Sequence, residues 1–437
     1  MVPIQYRPSG SNAKQLADNI ESAIRDGRLS PGDTLAPVRT LAADLGLAPG
    51  TVATVYRTLR ERGLISTHGR QGSVVSARPP LASRSVVPPL PPGVRDLASG
   101  QPDPQLLPAL GRFRWSGAAA APDRPVLDAL AVAARERLTA DGVPADSLTV
   151  TGGGLDGIRR VLAAQLPPGD AVAVEDPGWP NVLDLLPVLG LRALPVAVDE
   201  HGMRPDALRS CLQAGARAVI VTSRAHNPTG AYLSAGRAAE LRRVLADHRQ
   251  SLVIEDDHAA ELAAIALHPL AGSTDRWAFV RSASKPYGPD LRVGVVAGDE
   301  ATIARVDGQL RVGSGWVSQL LQRLLVELWD DAAVARTVRT AGQAYDERRT
   351  VLIEALAERG LPATGASGLN VWVPVVDETV AVSGLLTRGW AVAPGARFRQ
   401  RSAPGIRVSV SGLRPPDIER FVTDLVATVD AQGRPLA

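Results

Sequence analysis

The sequence predicts a multidomain chain: a small, mostly helical N-terminal module closed by a β-hairpin, then a large α/β domain with a smaller C-terminal α/β part. Three observations predict it. Up to about residue 76, apolar residues recur at helical spacing. Residues 77–94, ARPPLASRSVVPPLPPGV, hold six prolines and no acidic group, the composition of an extended linker. From residue 95 onward, short β-branched apolar runs alternate with helical stretches, as in a mostly parallel sheet covered on both faces. The expected units are therefore 1–76, 77–94 and 95–437.

In the first unit, Asn12–Asp26 places Leu16, Ile20, Ala23 and Ile24 on one helical face, and Gly27 with the Ser30-Pro31-Gly32 turn ends it. A short helix is expected from Pro37 to Leu45, closed by Gly46. A third runs from Pro49, a favoured first helical position, to Arg62. In that third helix Val52, Val55, Tyr56 and Leu59 form the apolar stripe, which leaves Gly50, Thr51, Thr54, Arg57 and Thr58 off it. Leu64–Ser66 and Ser73–Val75 read as two strands around a His68-Gly69-Arg70-Gln71-Gly72 turn. Helix, helix-turn-helix and basic hairpin is the order of a winged helix, whose third helix enters a DNA groove.

In the large unit, strands are expected at Leu148–Thr151, Ala171–Glu175, Ala218–Thr222, Leu252–Glu255, Phe279–Arg281 and Val293–Ala297. The large part extends to about residue 340. From about 345 a smaller unit is expected, with a helix over Tyr345–Arg359, strands near Asn370–Pro374 and Gly405–Ser411, and a last helix from Pro416.

Composition narrows the function classes. At 437 residues and 45% hydrophobic, the chain exceeds one ordinary core. No apolar run is long enough to span a bilayer, and MVPIQYRPSG lacks the apolar stretch of a secretory signal. Cys211 stands alone, which excludes an intrachain disulfide and argues against a cysteine metal site. A cytoplasmic protein without membrane partners or metal is expected. Residues 1–76 carry nine Lys/Arg against six Asp/Glu, and the whole excess follows Thr51, a hint of a phosphate-backbone partner. Among 48 basic residues only Lys14 and Lys285 are lysine. Arginine serves most cationic roles but cannot condense with a carbonyl, so a surviving lysine points to amine chemistry.

Lys285 ends the Arg281-Ser282-Ala283-Ser284-Lys285 run after a strand, and Arg292 follows seven residues later. An amine can condense with a carbonyl, and hydroxyl and guanidinium groups can hold a phosphate. Other strand ends carry Thr151-Gly152-Gly153-Gly154-Leu155, Glu175-Asp176-Pro177-Gly178-Trp179, His226-Asn227-Pro228-Thr229-Gly230 and Glu255-Asp256-Asp257-His258. A glycine-rich strand-to-helix turn offers backbone N–H groups to phosphate, here without the dinucleotide spacing.

Residues 23–75 resemble the winged-helix domain of GntR-type bacterial regulators. The resemblance implies DNA contacts from Arg39, Thr51, Tyr56 and Gly72, and by extension from Gly50, Thr54, Arg57 and Arg70. Many relatives have arginine where this chain has Pro49. Residues 95–437 resemble fold-type I, class I/II aminotransferases, which use pyridoxal 5′-phosphate (PLP). The fusion is the layout of MocR-type regulators. The resemblance implies PLP joined to Lys285 as an aldimine, Asp256 at the pyridine nitrogen and Asn227 at the ring hydroxyl. It implies Trp179 stacked on the ring, and Gly153, Gly154, Leu155, Ser282 and Arg292 at the phosphate. Arg407, in Gly405-Ile406-Arg407-Val408-Ser409, is implied at a ligand carboxylate. His258 stands where relatives carry a tyrosine donating to the ring hydroxyl, and a histidine's charge varies with pH. Gly154 and Leu155 replace the family's serine and glutamine donors, and Trp115–Pro122 lacks its interface tyrosine.

The leading expectation is a homodimeric, operator-binding transcription regulator that senses a small amino compound or PLP itself. The alternative is a working aminotransferase with an accessory DNA-binding domain. A regulator without PLP ranks last, because it leaves Lys285, Asp256, Asn227 and Arg292 unexplained.

Overall fold

The structure, a computed structural model, describes residues 6, 8–25, 28–30, 32–61, 64–67, 72–75, 90–110 and 124–430. Most of the proline-rich segment, Arg70, and the whole Trp115–Pro122 stretch lie outside the described residues. The described chain forms two bodies.

The N-terminal body has helices α1 (Ala13–Arg25), α2 (Val38–Leu45) and α3 (Pro49–Glu61), then strands β1 (Ile65–Thr67) and β2 (Ser73–Val75). The stripes read from sequence meet in one core: Leu16, Ile20 and Ala23 from α1, Leu41 and Ala42 from α2, Val52, Val55, Tyr56 and Leu59 from α3, with Ile65 and Val75. Gly46 ends α2 at φ +65°, a left-handed position that a β-carbon would strain. The hairpin pairs Ile65 with Val75 in antiparallel register, and Thr34 bridges to Val74. The winged helix-turn-helix expected from sequence is present.

The second body contains β3 (Arg95–Leu97), α4 (Asp128–Ala140), β4 (Leu148–Thr151), α5 (Gly154–Gln165), β5 (Ala171–Asp176), α6 (Pro180–Val188), β6 (Arg192–Asp199), β7 (Gly202–Met203), α7 (Pro205–Gln213) and β8 (Ala216–Thr222). There follow α8 (Ala235–Ala246), β9 (Leu252–Asp257), β10 (Arg276–Ser282), α9 (Ser284–Tyr287), β11 (Gly294–Gly298), α10 (Glu300–Val312), α11 (Gln319–Asp330) and α12 (Ala332–Ala357). The last elements are β12 (Asn370–Pro374), α13 (Glu378–Thr387), β13 (Trp390–Pro394), β14 (Gly405–Ser409) and α14 (Pro415–Asp430). An eight-stranded sheet runs β4-β11-β10-β9-β8-β5-β6-β7, and a four-stranded one runs β12-β14-β13-β3. The pairs β10/β9, β9/β8 and β8/β5 are parallel, whereas β11 is antiparallel to both neighbours, so the sheet is mixed.

Every residue of β5, β9 and β11 is buried, which explains why these strands read as continuous runs rather than alternating ones. The helix expected over Tyr345–Arg359 is the second half of the 26-residue α12. Strand β3 is not visible in the apolar pattern. It opens the large unit in sequence, yet it pairs in parallel with β13 of the small sheet.

Candidate functional site

Strands β4, β5, β8, β9 and β10 point their carboxyl ends to one edge, so the loops after them converge, as such sheets require of a ligand site. There they line a cavity of about 270 Å³. Of the residues proposed from sequence, Gly154, Leu155, Trp179, Asn227, Asp256, His258, Ser282, Lys285, Arg292 and Arg407 all border it. Gly153 lies just behind. It begins α5 at φ +103°, and a β-carbon there would stand 2.9 Å from an Arg292 guanidinium nitrogen. The first amides of α5, the Ser282 hydroxyl and Arg292 thus gather at one end of the cavity. The nearby Asp156 carboxylate accepts from Gly152 N–H at 3.0 Å and from Arg160 Nε at 2.8 Å, so its charge is already paired.

Successive strand residues face opposite ways, and this separates two adjacent acids. Asp256 faces the cavity. One of its oxygens accepts from His258 Nδ1 at 2.9 Å, and the other, Oδ1, is buried without a partner. Because a carboxylate only accepts, the His258 proton is on Nδ1. Asp257 faces away, held by Arg224 Nε at 2.7 Å and Arg281 Nε at 2.8 Å. Arg281 also reaches Asp141 at 2.5 Å. His258, expected at a ring hydroxyl, is bonded through Nδ1 to Asp256; its ring centroid lies 6.4 Å from that of Trp179.

Lys285 Nζ donates to the Gly100 carbonyl at 2.8 Å and to Gln101 Oε1 at 3.4 Å. Burial, then the nearby Arg407 charge, brings its amine down to about 8, against the weaker opposing pull of Asp256. Arg407 comes from the centre of β14, is buried, and lies 5.0 Å from the Phe398 ring centroid. It donates to Asn227 Oδ1 at 3.0 Å and to the Ala98 carbonyl. An arginine has no acceptor, so this bond fixes the Asn227 amide with its N–H₂ left for a ligand. Burial, then the charge of Arg397, lowers the Arg407 guanidinium to about 9.

Sequence reasoning missed the Ser99-Gly100-Gln101 segment, which borders the cavity directly after β3, and it missed Arg397 and Asn370. The Gly100 contact to Lys285 spans 185 positions, which no local pattern reports. The Pro394-Gly395-Ala396-Arg397 turn was the readable signal for Arg397.

On the N-terminal body, Arg39, Gly50, Thr54, Arg57 and Gly72 are exposed and Thr51 is half-buried. Tyr56 is not on this face. It is 2% exposed, its hydroxyl donates to the Ala36 carbonyl at 2.7 Å, and burial raises its pKa to about 12. The Tyr56 hydroxyl is therefore engaged within the N-terminal body.

Residues 12–75 match the gntR family of bacterial regulatory proteins, and residues 117–425 match the class I and II aminotransferases. Over 428 residues the chain is 40% identical to PtsJ of Salmonella typhimurium, a vitamin B6 salvage pathway transcriptional repressor, covering 95% of this chain and 98% of that one. The chain is a MocR-type regulator of the GntR family. It is also 29% identical over 419 residues to PdxR of Corynebacterium glutamicum, an HTH-type pyridoxine biosynthesis transcriptional regulator, covering 89% of each. Two solved structures share the fold of its large domain. An archaeal alanine:glyoxylate aminotransferase has a TM-score of 0.70 at 20% identity, over 78% of this chain and 91% of that one. A Thermus thermophilus aspartate aminotransferase mutant has 0.66 at 23%, over 78% and 97%. The MocR-type regulator thus joins a DNA-binding domain to an aminotransferase fold. Among its described residues no helix is long and apolar enough to cross a membrane.

Proposed function

We propose that this transcription regulator binds PLP in the large-domain cavity through Lys285 and adjusts its hold on a double-stranded DNA operator according to what occupies that cavity. One observation carries the reading: a lysine amine softened by burial shares a cavity with a carboxylate oxygen that has no partner. The unpartnered Asp256 Oδ1 matches a protonated pyridine nitrogen, since an unmet buried carboxylate oxygen is costly. Gly154, Ser282 and Arg292 match a phosphate. When bound, PLP supplies an aldehyde that condenses with an amine and a ring that withdraws electrons.

The chain's own residues supply the rest. Asp256 holds a proton on the ring nitrogen, and His258 holds Asp256. Asn227 orients its amide toward the ring hydroxyl. Trp179 covers a ring face. Arg407 takes a carboxylate if the ligand carries one.

The signal has a covalent route. Lys285 and Arg407 both donate to the segment Ala98–Gln101, which directly follows β3 and therefore the linker. Capture of the Lys285 amine removes the bond to Gly100 and loosens that segment. Arg39, Gly50, Thr51, Thr54 and Arg57, with Gly72 of the wing, form the DNA face, to which the sequence adds Arg70 as an expected contact, and a homodimer presents two such faces. The names of PtsJ and PdxR favour PLP itself as the signal; the buried Arg407, bonded to the neutral oxygens of Asn227 and Ala98, favours an amino acid acting on the PLP-loaded protein. Turnover as an aminotransferase is a second reading, and the same Arg407 geometry favours it.

The test is the visible spectrum of the full-length protein with PLP, beside Lys285→Ala, with operator binding followed in parallel. A band present in the wild type and absent in the variant, with operator affinity dependent on PLP only in the wild type, supports the proposal. No band with excess PLP refutes it.

A further inference from the structure

We infer that Glu175 is a positioning residue for the ligand's ring nitrogen: beside Asp256 it sets a second buried negative charge, which helps to keep that nitrogen protonated and cationic. The inference rests on the PLP reading above.

The sheet places Glu175 there. Strands β5, β8 and β9 lie side by side, and near their carboxyl ends they carry Glu175, Thr222 and Asp256 in turn. Thr222 is opposite Asp256 in the parallel register. Its N–H donates to the two Glu175 oxygens at 3.2 and 3.1 Å, and its hydroxyl donates to Oε2 at 2.8 Å. The next acid along β5, Asp176, is taken up elsewhere, by the backbone N–H groups of Gln400, Arg401 and Ser402. Glu175, Thr222 and Asp256 together line a second cavity of about 20 Å³. Asp256 and Trp179 border both cavities, so the small one adjoins the place proposed for the ring. It has room for one water molecule, whose two O–H groups match two carboxylates.

Charge makes this arrangement informative. Glu175 is 5% exposed and Asp256 2%. Among the described residues, the ion-pair contact of Glu175 is His226 rather than a lysine or arginine. His226 is fully buried, and its Nδ1 accepts from Thr229 N–H at 3.4 Å and faces the Thr229 hydroxyl at 2.7 Å. Its proton is therefore on Nε2, and the ring is neutral. That Nε2 stands 3.3 Å from Glu175 Oε2 but out of line for a hydrogen bond. Two buried acids thus meet around a space the size of one water, and Asp256 Oδ1 has no partner. Like charges so placed are unfavourable unless a cation joins them. A glutamine at position 175 would accept the Thr222 bonds through its amide oxygen without that cost. The fold has no need of the charge, whereas a protonated ring nitrogen supplies the cation that the pair lacks.

The test compares PLP with its analogue carrying C–H in place of the ring nitrogen. Each is bound to the full-length protein freed of PLP, and retention is measured by equilibrium dialysis. The two ligands share phosphate, aldehyde and ring hydroxyl and differ in the atom that holds the proton. The wild type is expected to favour PLP. Glu175→Gln should lower that preference about tenfold, the equivalent of a tenfold change in the proton affinity of the nitrogen, while retention of the analogue stays the same. Glu175→Asp should keep most of the preference. Equal loss of both ligands in Glu175→Gln marks a role in shaping the site alone and overturns the inference, as does an unchanged preference. Where far-UV circular dichroism shows that Glu175→Gln does not fold, Asp256→Asn carries the test: a preference for PLP that remains there belongs to Glu175, and a preference of unity overturns the inference. If the wild type shows the Lys285-dependent band with PLP but holds both ligands equally, the inference fails and the PLP reading stands. If there is no band with PLP at all, both fail.

Discussion

The lowered amine of Lys285 makes a quantitative prediction about how the protein captures PLP. An ordinary lysine at 10.5 is neutral about once in three thousand at pH 7; one titrating at about 8 is neutral about once in ten. Only the neutral amine attacks an aldehyde, so Lys285 captures PLP roughly three-hundredfold faster at pH 7 than an exposed lysine of equal nucleophilicity. The rate rises with pH and levels off above about 8. Burial is the largest cause, Arg407 adds to it, and Asp256 opposes it. Two perturbations therefore have opposite signs. Arg407→Leu removes a cation that disfavours the ammonium, so the midpoint moves up while staying below 10.5. Asp256→Asn removes an anion that favours it, so the midpoint moves down. The assay is stopped-flow absorbance of the apoprotein mixed with PLP from pH 6 to 10. A wild-type midpoint near 10.5, or the same direction of movement in both variants, would refute the electrostatic argument.

Three further outcomes are expected. Gly153→Ala forces a side chain onto φ +103° and into the Arg292 guanidinium; strain of about 1–3 kcal/mol should weaken PLP retention in equilibrium dialysis and leave operator binding without PLP unchanged. Asp257→Asn leaves Arg224 and Arg281 underpaired and should cost about 3–5 kcal/mol in urea unfolding. Burial alone would raise the pKa of Asp257, but the Arg281 and Arg224 charges hold it at about 2, so its stabilisation is full above 3.8 and is lost as pH falls toward 2; the Asn variant should lose that part of the acid dependence. In the N-terminal body, Leu59→Ala empties a fully buried site and should cost about 2–5 kcal/mol, whereas Arg57→Ala should leave stability unchanged and lower the salt slope of operator binding by about one.

Much of the molecule was legible before folding, for identifiable reasons. The α3 stripe of Val52, Val55, Tyr56 and Leu59 and the fully buried β5 and β9 carry their pattern within a few neighbouring residues, where helical or strand periodicity operates. The strand-end motifs around Asn227, Asp256 and Lys285 are likewise local. Tyr56 shows the limit. Its helical position shows that it lies on the buried stripe, but its bond to Ala36, twenty positions away, belongs to the packed body.

The sequence by itself therefore determined the two-part architecture, the order of the elements and the types of group at the ends of the central strands, because each depends on short-range periodicity and turn chemistry. Only the tertiary structure decided which of those groups face one another. It turned Asp256 into the cavity and Asp257 into an arginine network, although they are adjacent in sequence. It gave His258 to Asp256, placed β3 in the small sheet so that Gly100 meets Lys285, and set Arg397 beside Arg407. These pairings join residues far apart along the chain, and their charges, burial and proton affinities arise from the shared low-polarity space that folding encloses.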